Sequence, residues 1–156
     1  GSPPAVRPFW IPLGLALAAS LAGKWLADAF LDSRVALMGD LAGLVYSQNP
    51  GIAFGIRLPE AIQTWVISAA AGLVILLALT TAKTPLTRVA FGLIVAGALG
   101  NVLDRLPDGR VTDFFQVGTF PIFNVADSCI TVGAALLILD VILEKFRGIR
   151  NPRKTS

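Results

Sequence analysis

Four apolar segments of bilayer length run through the chain and leave few folds open to it. Residues 9–30, 61–82, 86–103 and 125–143 are each 18 to 22 residues long, close to the roughly 20 that a helix needs to cross a hydrocarbon core. Lipid offers no partners to a backbone, so segments of this kind cross as helices that satisfy their own N–H and C=O groups. Composition agrees: 54% of the 156 residues are hydrophobic, only 15% are charged, and the mean hydropathy is +0.72, values foreign to a soluble domain. The expectation is an α-helical membrane protein with four transmembrane helices, built as a single membrane-embedded domain over 1–156.

Between the first two spans the pattern changes. Residues 32–59 mix Val, Leu, Tyr and Ile with Gly, Asp, Ser and Asn, in short extended runs such as GLVYSQ and IAFGI, which reads as a small sheet outside the lipid. Lys83, Pro85 and Arg88 mark a polar turn between the second and third spans. In the third, Gly92, Ala96, Gly97 and Gly100 fall at near four-residue spacing, which lets helix backbones approach closely. The leading Gly1-Ser2 reads as a remnant of tag cleavage, and the first span as one that is kept: only Arg7 precedes it, and its apolar run continues past small residues to Trp25.

Lys and Arg divide unequally between the two sides of these spans. Arg7, Lys83, Arg88, Lys145, Arg147, Arg150, Arg153 and Lys154 share one side, whereas Arg34, Arg57, Arg105 and Arg110 lie on the other among acids. The positive-inside rule then puts both termini in the cytoplasm. Trp10, Trp25 and Trp65 fall near span ends, where aromatic belts occur. Lys24 lies about 22 Å along the first helix from Phe9, at ~1.5 Å per residue, in the outer third of the membrane. It shares that level with Asn101, Asp104, Arg105, Asp113, Asn124 and Asp127.

The absence of histidine excludes Ser-His and Cys-His nucleophiles, HExxH zinc proteases and most zinc sites. The single cysteine, Cys129, permits no intrachain disulfide and reads as a small apolar filler. A net charge of +3 would suit nucleic acid, but the basic residues gather beside the last span, so no nucleic-acid partner is expected. What remains are acids at the mouths of the spans. Asp113, in RVTDFF, could be an ordinary acid on an extended segment; Asp127, three residues after Asn124, fits a capping box that starts the last helix. As a pair they could share one proton, since like charges held close cannot both ionise. One would then act as base on water and the other as acid toward a carbonyl oxygen. Asn49 and Gly51, in SQNPGIAFGI, suit a turn or a contact to substrate backbone. Asp104 and Arg105 suit a helix end, and Asp140 a solvated one.

NPGIAF, AGALGNVLDR, VTDF and FNVADSCITVGAAL, in this order and interleaved with four spans, resemble the bacterial lipoprotein signal peptidases, or type II signal peptidases. The resemblance covers nearly the whole chain. It implies a membrane aspartic endopeptidase that removes the signal peptide from prolipoproteins just before a diacylglyceryl-modified cysteine. It further implies a small extracytoplasmic β-cradle at 32–59, no cofactor, and a multi-pass place in the bacterial cytoplasmic (inner) membrane with the active site at its outer face. The partners it implies are the prolipoprotein and membrane lipid, and the chain is expected to work as a monomer. Carried over block by block, the catalytic pair falls on Asp113 and Asp127, and supporting residues on Lys24, Asn49, Gly51, Asn101, Asp104, Arg105, Asn124 and Ala126.

One departure stands out. The family's first span usually carries an Asp four residues before its Lys, whereas this chain has Ser20 before Lys24. Asp28, one turn on and nearer the outer interface, is expected to take over the charge balance as the lysine snorkels outward. Two other functions fit less well. A small transporter would want polar residues through the inner halves of the spans, and a catalytically inactive scaffold would have no chemical reason to keep both aspartates.

Overall fold

A computed structural model describes residues 7–50, 73, 76 and 84–150 of the chain. Among them lie three long helices, α1 (Arg7–Phe30), α2 (Pro85–Arg105) and α3 (Val125–Arg150), and three strands, β1 (Val35–Met38), β2 (Ala42–Asn49) and β3 (Val111–Val117). All three helices are long and apolar enough to cross a membrane. Apart from Leu73 and Leu76, the span expected at 61–82 falls outside the described residues, as does the last part of the expected β region, 51–59.

Helix α2 begins at the expected polar turn, where Thr84 and Thr87 form a reciprocal capping box. The Thr84 hydroxyl accepts from the Thr87 N–H at 3.1 Å, and the Thr87 hydroxyl from the Thr84 N–H at 3.0 Å. Pro85 opens the helix, where its missing N–H costs nothing. Helix α3 does not stop at 143 but continues to Arg150. Lys145 and Arg147 thus lie in the last turns of a helix, where cations offset the negative end of its dipole.

Helix α2 is the central one. Its most apolar window is 44% buried, against 11% for α1 and α3. Small residues permit this. A Cβ on Gly92 would lie 2.6 Å from the Phe9 carbonyl oxygen of α1, and one on Gly97 would lie 2.5 Å from the Ala126 oxygen of α3. From the other side, a Cβ on Gly133 of α3 would lie 2.7 Å from the Ala90 oxygen of α2. In lipid, where water cannot drive association, such close approach gains dispersion contacts that bulkier residues would block. Phe91 and Val95 form the core of the packing, with Phe9, Leu13, Leu99 and Leu137 around them.

The strands form one antiparallel sheet in the order β1-β2-β3. Gly39, at φ +55°, turns the first hairpin in the left-handed region that favours glycine. In the second pairing Ser47 faces Asp113, Gln48 faces Thr112 and Asn49 faces Val111. Strand alternation therefore puts Asn49 and Asp113 on one face and Gln48 and Thr112 on the other. Beyond β3 the chain turns back, and Phe123 pairs with Phe115. That return lays the start of α3 beside the strand carrying Asp113.

Replacing Gly97 by Val forces a side chain into the Ala126 backbone. The variant should lose on the order of 1–3 kcal/mol of stability, as overpacked sites do. Gly14→Ala, where no described residue lies within 4 Å of the added methyl, should be neutral or slightly stabilising. Thermal midpoints of both variants in one detergent check this.

Candidate active site

The polar residues predicted from sequence meet where the ends of α1, α2 and α3 reach the sheet. Asn124 is the junction. Its side-chain oxygen accepts from the Asp127 N–H at 2.9 Å, and Asp127 Oδ2 accepts in return from the Asn124 N–H at 3.2 Å. The expected capping box is formed, and it fixes the Asp127 side chain. The Asn124 carboxamide nitrogen donates to Asn101 Oδ1 at 3.0 Å and, more weakly, to the Thr112 carbonyl at 3.4 Å. Asn101 then donates to Asp127 Oδ1 at 3.1 Å. Both oxygens of Asp127 thus accept hydrogen bonds, as a carboxylate's do.

Asp113 has different surroundings. It is only 3% exposed, and its Oδ1 is buried without a hydrogen-bond partner among the described residues. Burial, reinforced by the negative charge of Asp127, pushes its carboxyl up to about 7, although a hydrogen bond from Asn49 and the Arg105 guanidinium pull the other way. Asp127 is therefore close enough to bear on the ionisation of Asp113, while the environments of the two differ. Such asymmetry sorts an acid from a base.

The remaining predicted residues take distinct places. Lys24 bridges Asp28 Oδ2 at 2.6 Å and Asp104 Oδ1 at 3.2 Å, so Asp28 does pair with the lysine as expected. Asp104, read as a simple helix end, instead reaches across to β3 and accepts from the Thr112 N–H at 2.9 Å. Arg105 ends α2 and acts on Asp113 and Asp127 through its charge. Asn49 ends β2. Ala126, 1% exposed, packs against the glycine face of α2, and Gly51 lies outside the described residues. A small cavity of about 10 Å³, lined in part by Ser20, Lys24, Asn101 and Asn124, lies within the cluster. Cys129 lines an apolar groove with Leu93, Phe115, Val125, Ser128 and Val132, in keeping with its reading as an apolar filler.

Sequence reasoning missed Thr112 and Tyr46. Thr112 is 2% exposed and held by side chains from two helices, while the Tyr46 hydroxyl donates to Asp28 at 2.8 Å. Strand alternation along VTDF puts Thr112 on the face opposite Asp113, but no local pattern points to its partners. They come from residues 8 and 84 positions away.

The fold is that of known bacterial membrane enzymes. One solved structure so described matches with a TM-score of 0.77 at 23% identity, over 94% of this chain and 90% of its own length. A second matches with 0.74 at 25% identity, over 84% and 90%. The sequence profile of the family described as Signal peptidase (SPase) II matches residues 13–143. The chain therefore belongs to the signal peptidase II family, and it is a hydrolase. A lipoprotein signal peptidase of Chlorobaculum parvum is 40% identical over 121 residues, 69% of this chain and 76% of its own. That of Symbiobacterium thermophilum is 40% identical over 134 residues, 80% and 88% of the two chains.

The raised Asp113 carboxyl sets a pH dependence. Between its ordinary value, near 4, and about 7 the folded state holds a proton that the unfolded state has released. Stability should therefore fall as pH rises through this window and level off above it. Asp113→Asn, which mimics the protonated form, should flatten that slope. Thermal midpoints of both proteins from pH 4 to pH 8 provide the measurement.

Proposed function

We propose that Asp113 and Asp127 are the two catalytic aspartates of a membrane aspartic endopeptidase that removes the signal peptide from diacylglyceryl-modified prolipoproteins. The observation that carries this reading is the asymmetry of the pair. Asp113 is buried, has an oxygen without a partner among the described residues and has its carboxyl pushed up to about 7, whereas Asp127 accepts hydrogen bonds at both oxygens. Asp127 is accordingly the base. It takes a proton from water as the water oxygen bonds to the scissile carbonyl carbon, and Asp113 gives its proton to the carbonyl oxygen. Collapse of the resulting gem-diol breaks the C–N bond, returns a hydroxyl proton to Asp113 and delivers the Asp127 proton to the leaving amine, leaving the pair as it began. Water is the nucleophile, and no side-chain nucleophile, metal or cofactor enters the cycle. Arg105 limits the repulsion between the carboxylates, and Asn101 and Asn124 hold Asp127 in register.

The substrate assignment follows from the family and from relatives named lipoprotein signal peptidase. The apolar groove beside α3 offers the substrate's acyl chains a surface of matching chemistry. Residues 61–82 supply a fourth span. Together with the charge asymmetry, this puts both termini in the cytoplasm and the aspartates at the outer face of a bacterial inner membrane. The sheet faces the substrate backbone above the pair, a role that the family resemblance extends to Gly51, in a chain that works as a monomer.

Asp113→Asn and Asp127→Asn should each lower cleavage of a diacylglyceryl-modified prolipoprotein at least ~10³-fold while leaving the protein folded, because each disables one half of the proton exchange. Substantial turnover by either variant sinks the pair. Chelators and serine-directed inhibitors should have no effect, and Cys129→Ala should keep near-normal activity.

The orientation is checked by placing a cysteine at Asp40 in a Cys129→Ala background. A membrane-impermeant maleimide should label it from outside intact spheroplasts, and labelling only after lysis would reverse the topology.

A further inference from the structure

We propose that Asp28 is a positioning residue for the reaction: together with Lys24 and Tyr46 it clamps Thr112 and thereby fixes the strand that presents Asp113. This rests on the reading of Asp113 as one of the two catalytic aspartates. Thr112 is held at two atoms by carboxylates from two helices. Its N–H donates to Asp104 Oδ2 of α2 at 2.9 Å, and its hydroxyl donates to Asp28 Oδ1 of α1 at 3.0 Å. Two carboxylates around one threonine would repel each other, but Lys24 Nζ lies between them, at 2.6 Å from Asp28 and 3.2 Å from Asp104.

The same Asp28 oxygen accepts from the Tyr46 hydroxyl of β2 at 2.8 Å, and Gln48 Nε2 donates to that hydroxyl at 3.0 Å. Gln48 is the cross-strand partner of Thr112. The bonds therefore close a circuit from α1 to β2, across the sheet to β3, and on to α2. Successive side chains of a strand point to opposite faces. A residue pinned at both its N–H and its hydroxyl consequently sets the direction in which the next one, Asp113, leaves the backbone. Catalytic groups need such support, since misplacement of about 1 Å can cost on the order of 10²-fold in rate. A role confined to holding Lys24 would require only the ion pair. The hydroxyl contacts to Thr112 and Tyr46 go beyond it.

The test is a double-mutant cycle on steady-state cleavage of a diacylglyceryl-modified prolipoprotein by the purified full chain. Asp28→Ala and Thr112→Val should each lower kcat about tenfold with KM within about twofold. The double variant should be no worse than the poorer single, because both break the same contact. Asp28→Asn, which keeps an acceptor for both hydroxyls, should retain kcat to within about threefold. If Asp28→Ala does not fold in detergent, Tyr46→Phe replaces it in the same cycle with the same expected non-additivity. Losses that multiply, or variants that lower the thermal midpoint with kcat unchanged, overturn the clamp while leaving the catalytic pair intact. Turnover by Asp113→Asn overturns the pair itself, and with it any need to position that residue.

Discussion

Four of the hydrogen bonds of Asn124 tie three elements together: the capping exchange with Asp127 on α3, one bond to Asn101 on α2 and one to the Thr112 carbonyl of β3. At the edge of a hydrocarbon layer each of these polar groups would be costly to leave unpaired. Each has its partner inside the cluster, so the helix ends and the strand share one geometry. A neutral carboxamide suits the junction because it donates and accepts at once. An acid there could accept from the Asp127 N–H but could not also donate to Asn101 and Thr112 without holding a proton.

That junction depends in turn on how closely α2 and α3 approach. The absent side chains at Gly97 and Gly133 let the two backbones meet, and Ala126 settles against the same face with 1% exposure. Asn101 stands one turn beyond Gly97, and Asp127 follows Ala126 directly. Close packing of small residues and the bond between Asn101 and Asp127 are thus consequences of one helix crossing. The chemistry of the site is set by packing below it as much as by the acids in it.

Charge is managed one turn farther out than the family pattern would suggest. Ser20 sits tightly against α2, its hydroxyl oxygen 2.6 Å from where a Cβ on Gly100 would stand. With no acid at that position, Lys24 extends to Asp28 and Asp104 instead. This places the compensating carboxylate in the last turn of α1, where it can also reach Tyr46 and Thr112 on the sheet. A balance kept at Ser20, deeper in the membrane, would not touch the strands.

The sequence by itself determined the three described spans, because a run of apolar residues near 20 long has one way to satisfy its backbone in lipid. It likewise determined the Asn124–Asp127 cap, a local contact between residues three apart, and the pairing of Lys24 with Asp28, a contact across one helical turn. It marked Asp113 and Asp127 through a resemblance and through the lack of any other acid-base candidate. Only the tertiary structure decided that Asp104 braces β3 rather than simply ending a helix, and that Thr112 and Tyr46 belong to the same network. It also decided that Asp113 is buried, which pushes its carboxyl up, whereas Asp127 accepts hydrogen bonds at both oxygens. Those properties arise where a strand and two helices distant in the chain close on one another, and neither burial nor a hydrogen bond across 84 residues leaves a periodic signal in the sequence.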